Sequence, residues 1–202
     1  NNMAYTTINK STAHFNTKLY TGTGSSNALT GVGFQPDLVW IKERDGGGGH
    51  NIFDAVRGTT KVIYSNATNS EDTEAQGLTA FGTDGFTVGT NTNVNQNGVT
   101  HVAWNWKANG SGSANTDGSI NTTATSVNTT AGFSISKYTG NGTSGATVGH
   151  GLGTTPSVII VKKTSGSDGW AIYHHKNTTA PATKYLRLDT ADTTADNLGE
   201  WN

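Results

Sequence analysis

The stretch Tyr20–Lys42, YTGTGSSNALTGVGFQPDLVWIK, returns in altered form at Tyr138–Lys163 as YTGNGTSGATVGHGLGTTPSVIIVKK. Both carry, in the same order, a tyrosine, a glycine-rich bend, a proline, a wholly apolar run of four residues and a lysine. Aligning Phe15 with Phe133 also places Tyr20 on Tyr138 and Gly22 on Gly140, a constant offset of 118. Pro36 then meets Pro156, Lys42 meets Lys162 and Ile52 meets Ile172 at 120, so two residues are inserted in the bend, where a turn tolerates them. Thr60 and Lys61 meet Thr183 and Lys184 at 123. What recurs is an ordered series of elements, the mark of an internal repeat.

The elements read as strands. Phe133, Ile135 and Lys137 alternate with Ser134, Ser136 and Tyr138, as in a half-buried strand. The runs LVWI and VIIV, each preceded by a proline within three residues and followed by lysine, suit central strands covered on both faces. HNIFDAV pairs with WAIYHHK, and TKVIYS with TKYLRL. DGFTVG adds a turn and a strand, and VTHVAWNWK sets Val102, Trp104 and Trp106 opposite His101, Ala103 and Asn105. No stretch shows sustained helical periodicity, so helix is expected to be minor. The predicted fold is all-β, with tandem β-sandwich units of jelly-roll or concanavalin-A-like type.

The Gly/Ser/Asn-rich stretch from Ala108 divides the chain into a first unit with trailing linker, residues 1–114, and a second unit, residues 115–202. SINTTATSV within it alternates weakly and is a candidate opening strand for the second unit. That unit has no counterpart of GFTVGTNTNVNQNGVTHVAWNWK, so it is expected to be incomplete at its C-terminus, as a piece of a longer polypeptide or as a unit completed by a neighbouring chain.

Composition narrows the function classes. The 202 residues include 13 basic and 14 acidic ones, a formal net charge of −1, with no basic block to neutralise phosphates. Nucleic-acid binding is not expected. No apolar run approaches the roughly 20 residues of a membrane-spanning helix. With no cysteine there is neither a disulfide framework nor a thiolate cluster. The histidines are dispersed, and the adjacent His174 and His175 point to opposite faces of a strand, so no metal site is expected. SEDTE (Ser70–Glu74) lacks the spaced ligands and glycine of a calcium loop. GTG after the first strand has no helix behind it, so no nucleotide cofactor is expected.

Several motifs taken together resemble a known set of proteins: MAYTTINKSTAHFNTKLYTGTG, GFQPDLVWIKER, FDAVRGTTK, VAWNWKANGSGSANTDGSI, GWAIYHH and the closing WN. They resemble lectin-like virion structural or tail-fibre proteins of marine tailed phages, including cyanophages, over nearly the whole chain. The resemblance implies an all-β sandwich on a virion, in contact with other virion subunits, forming a homo-oligomer and binding host-surface glycans. It implies no catalytic residues.

Three functional readings follow. A virion structural component that binds glycans would use aromatic faces beside planar hydrogen-bonding groups. Trp40, Arg44, His50, Asp54 and Arg57 are candidates in the first unit, and Trp170, Tyr173 and His174 in the second. A salt bridge at a loop is the competing reading of Asp54 and Arg57, and core packing that of Trp40. An assembly protein without ligand needs none of them. A glycan hydrolase would need two facing carboxylates, for which Glu43 and Asp45, two apart on one strand exit, are the pair available. Copy two has Lys163 and Ser165 there.

Overall fold

The computed structural model describes residues 8–196. Fifteen strands and one single-turn helix make up its regular structure, apart from two short 3₁₀ turns. In chain order these are β1 (Phe15–Thr21), β2 (Asn27–Thr30), β3 (Leu38–Glu43), β4 (His50–Asp54), β5 (Lys61–Tyr64), β6 (Asp72–Thr73), β7 (Leu78–Gly82), β8 (Gly85–Val88), α1 (Thr92–Asn95), β9 (Thr100–Trp106), β10 (Ala124–Asn128), β11 (Phe133–Lys137), β12 (Val158–Lys162), β13 (Trp170–His174), β14 (Lys184–Tyr185) and β15 (Ala195–Asp196). The protein is nearly all-β.

β1–β9 form two sheets, one ordered β1-β9-β3-β4-β5-β6 and one ordered β2-β8-β7. β9 lies between β1 and β3, antiparallel to both: Thr17 and Trp40 each face Trp104. The inward side chains of the large sheet are Val39, Ile41, Phe53, Val62 and Ala103, and they pack in one cluster with Leu29, Leu78, Phe86 and Val88 of the small sheet. The cluster therefore draws on both sheets, the arrangement of two layers face to face. At about 25 cal/mol per Å² of apolar surface removed from water, such a cluster is the main source of stability.

The other face of the large sheet carries Leu38, Trp40, Ile52, Ile63, Trp104 and Trp106, in keeping with the alternation of VAWNW and LVWI. It is covered by the C-terminal half. Trp170, only 4% exposed, packs with Ile52 and Ile63 alongside Leu38, Trp40 and Leu188. Its indole N–H donates to the carbonyls of Tyr64 (2.9 Å) and Ala67 (3.2 Å). Phe133 stacks on Trp106 at 6.2 Å, and Phe15 tilts against the same ring at 4.8 Å. β3 is thus covered on both faces.

The segments that match in sequence also match in pairing. Lys42 faces His50 in β3–β4, and Lys162 faces Trp170 in β12–β13. Ile52 faces Ile63, and Ile172 bridges Leu186. Lys61 faces Thr73, and Lys184 faces Asp196. Asn16 Nδ2 donates to the Val32 carbonyl at 2.9 Å, and Ser134 Oγ to the His150 carbonyl at 2.6 Å. β10 overlaps the second half of the stretch read as an opening strand and pairs with β11.

The expectation that VIIV would be covered on both faces is not met. Val158, Ile159 and Ile160 are 46%, 38% and 52% exposed. The physical reason is the absence, among the described residues, of strands equivalent to β7, β8 and β9 in the C-terminal half. Among the described residues β12 pairs only with β13, and its other edge makes no ladder.

Because Trp170 is the buried wedge between the halves, Trp170→Ala is expected to lower stability by about 3 kcal/mol, in the range of large aromatic truncations. Urea unfolding followed by tryptophan fluorescence and by far-UV circular dichroism checks this, with the variant also separating the two transitions.

Candidate functional site

The outward face of the large sheet concentrates aromatic rings because β3 and β9 alternate in phase. Trp40 meets Trp104 edge to face at 5.9 Å and His50 at 5.8 Å. Trp40 Nε1 donates to His50 Nδ1 at 3.0 Å, which leaves Nε2 of a neutral His50 to carry the proton. Burial, then the nearby Lys42 charge, holds His50 below its ordinary pKa. Trp40 and His50 therefore form one unit, with Trp40 half-buried against the C-terminal half.

Arg44 lies one residue past β3, its backbone N–H bonded to the Thr100 carbonyl at 2.8 Å. Asp45 accepts the Thr100 N–H at 2.7 Å. That bond, ahead of the Arg44 and His101 charges, keeps the exposed Asp45 carboxyl below the usual range. The Glu43 carboxylate rests over the backbone of Gly46 and Gly48, occupying space a side chain there would need. Asp45 thus has a backbone N–H partner, and the Glu43 carboxylate lies against the glycine run.

Asp54 and Arg57 stand apart from the aromatic group. Both side chains are 5% exposed and paired through Arg57 Nε and Asp54 Oδ2. Arg57 also donates to the carbonyls of Ile52 (2.9 Å) and Lys61 (3.3 Å) and to Glu71 Oε2 (3.3 Å). Asp54 Oδ1 accepts the Arg57 backbone N–H at 2.8 Å. The pair ties the end of β4 to the start of β5, the loop salt bridge that was one reading of these residues.

In the C-terminal half Trp170 and His174 share a face of β13 and Tyr173 points to the other. Trp170 is buried between the halves, and His174 Nδ1 accepts the Lys176 N–H at 3.1 Å. The three do not form one patch. Sequence reasoning missed a shallow depression lined in part by Lys163, Asp168, Tyr185 and Arg187. There Arg187 lies over the Tyr185 ring at 5.0 Å and donates to its hydroxyl at 3.0 Å. An aromatic face with a planar donor is chemistry suited to a sugar. The pairing of β13 with the start of the TKYLRL segment brings these residues together, and their sequence spacing alone carries no such signal.

His101 is the other notable group, fully buried on the inward face of β9. Its ring stacks on Tyr20 at 5.1 Å, Nδ1 lies 3.1 Å from the Val99 carbonyl, and Nε2 has no hydrogen-bond partner. Burial outweighs the nearby Glu43 and Asp45 carboxylates and lowers its pKa. Among the described residues no group of three or more His, Cys, Asp or Glu side chains is placed to hold a metal ion, and no helix is long and apolar enough to cross a membrane.

The profile of the family described as Domain of unknown function (DUF7483) matches residues 10–202, and the chain belongs to that family. No curated protein and no solved structure matches it.

Two outcomes follow from this geometry. Arg57→Ala strands a buried carboxylate and is expected to cost about 3 kcal/mol, whereas replacing both Asp54 and Arg57 by apolar residues of similar volume is expected to recover much of it. Chemical unfolding of the single and double variants measures both. For His101 the folded-state pKa lies below the unfolded value of 6.5, so the unfolded chain takes up the proton first as pH falls. Stability is therefore full above pH 6.5 and declines below it until pH passes the folded pKa. Thermal melts from pH 7.5 to 5 should show that decline, and His101→Phe should reduce it, leaving the part due to His50, whose pKa is lowered in the same direction.

Proposed function

We propose that this member of the DUF7483 family is a non-enzymatic structural component of a phage virion, a tail fibre, appendage or decoration protein. It is built from two copies of one β-sandwich unit of jelly-roll or concanavalin-A-like type, the second without counterparts of β7, β8 and β9 among the described residues. The observation that carries this reading is the repeated register: β3-β4-β5-β6 and β12-β13-β14-β15 place matched residues opposite one another pair by pair. The candidate binding side chains are not repeated. Trp40, His50, Asp54 and Arg57 correspond to Ile160, Trp170, His174 and Asn177. A duplicated frame with diverged polar positions is what a scaffold retains.

On a particle the chain would contact other virion subunits through its exposed apolar strand and present the depression beside Tyr185 and Arg187 to a ligand. Host-surface glycans are the ligand class suited to Tyr185 with Arg187, an aromatic ring beside a planar hydrogen-bonding group, whereas Trp40 with His50 is packed against the C-terminal half. Single sites of this shallow kind bind weakly, and multiple copies on one particle strengthen attachment by avidity, by factors of about 10² or more.

The test is binding of the protein, free and arrayed on beads, to glycan arrays and to whole bacteria. Retention by the arrayed form, weakened by Tyr185→Ala, is the expected result. No retention at high multivalency would leave assembly as the sole role. Release of sugar from cell-surface polysaccharide, abolished by Glu43→Gln or Asp45→Asn, would make the protein a hydrolase instead.

A further inference from the structure

Three features of the C-terminal half are exposed although their counterparts in the N-terminal half are in contact with one segment, Val94–Trp106. Tyr20 donates its hydroxyl to the Val94 carbonyl at 2.6 Å and stacks on His101, while Tyr138 is 40% exposed. Gly22 lies so close to the backbone of Asn95 and Gln96 that a Cβ would collide with the Gln96 carbonyl. Gly140, at the matching position, has nothing within 4 Å of the place a Cβ would take, and its φ does not call for glycine either. β3 pairs with β9 along Leu38–Glu43, while the corresponding edge of β12 is unpaired among the described residues and Val158, Ile159 and Ile160 are exposed.

The rest of the frame is in place. β11 is held to the loop before β12 by the Ser134–His150 bond, as β1 is by the Asn16–Val32 bond. In the N-terminal half β1 and β3 flank β9, so they lie about 9.6 Å apart, twice the spacing of paired strands. The same three landmarks, a tyrosine, a glycine without a local reason and an open strand edge, line the matching position between β11 and β12.

We propose that the edge of β12 and the face of the Tyr138–Gly140 bend form an acceptor site for one extended segment of the Val94–Trp106 kind. The occupant is a helical turn running into a strand antiparallel to β12, with aromatic residues alternating with small or amide side chains. This is strand addition, in which main-chain hydrogen bonds supply affinity and alternate side chains supply selectivity. The ladder it extends is continuous with β12-β13, which already shares the β3-β4 register. Val158 and Ile160 stand where Leu38 and Trp40 face Trp106 and Trp104, which gives the occupant's rings apolar partners. Gly140 leaves room for its backbone. The inference rests on the reading of the chain as two copies of one unit.

The probe is a synthetic, fluorescein-labelled peptide of residues 91–107, NTNVNQNGVTHVAWNWK, added to the whole chain. Saturable binding is expected, with amide exchange slowed at Val158–Lys162 and not at Leu38–Glu43. Ile160→Lys and Gly140→Val should each weaken binding at least tenfold. Both positions are exposed, so these variants are expected to fold, which circular dichroism checks. Protection at β3 instead would mean displacement of the chain's own β9 and would overturn the site. So would concentration-dependent dimerisation through β12 that excludes the peptide, or no binding at all. Cross-strand NOEs between Ile160 and Ile172 and between Ile172 and Leu186 report the repeated register on their own. If they are present without peptide binding, the acceptor site fails and the two-copy reading stands; if they are missing, that reading fails.

Discussion

The pairing of β9 with both β1 and β3 is the constraint on which the N-terminal half depends. It joins a ribbon near the start of the chain to the most apolar strand through residues that arrive much later, with Phe15 and Leu38 both opposite Trp106. The loop entropy of that closure is recovered only once the ladder forms, so this topology favours slow, cooperative assembly. Once formed, the ladder fixes which residues face inward. His101, Ala103 and Asn105 enter the core, and Val102, Trp104 and Trp106 turn to the other side. The aromatic face, the stacking of Tyr20 on His101 and the seat for Phe133 all follow from one register.

Much of this was legible because alternation encodes a face directly. VAWNW announced its two sides, and the Pro-apolar-Lys pattern located β3 and β12. The repeat also carried over to registers, down to the bridge of Ile172 to Leu186. What alternation does not encode is the identity of the covering layer. Trp40 was equally readable as binding residue or core, and the structure makes it a half-buried ring that donates its indole N–H to His50 and packs in the cluster of Trp170. Nothing local to GWAIYHH shows that its tryptophan reaches the Tyr64 and Ala67 carbonyls, over a hundred residues earlier.

The same limit applies to charges. FDAVRG offered a carboxylate and a guanidinium at a spacing open to either a surface patch or a loop tie. The deciding fact is the position of Lys61 and Glu71, which arrive from β5 and the segment after it to complete the arginine's bonds. A sequence lists donors but not their acceptors, and a buried arginine is recognisable only when its acceptors are in view.

The Asn- and Thr-rich composition has a physical role of its own. Asn95 is buried, donates to the carbonyls of Ser25 and Gly89, both at 2.6 Å, and accepts the Thr23 N–H at 2.9 Å, so one amide ties β1's exit to the loops of the small sheet. Asn16, Asn51, Asn105 and Thr122 make comparable bonds to backbone. Uncharged side chains can satisfy buried peptide groups without the desolvation penalty of an ion, which is several kcal/mol per charge. Only 13% of residues are charged and the net charge is −1, so copies of the chain repel each other weakly.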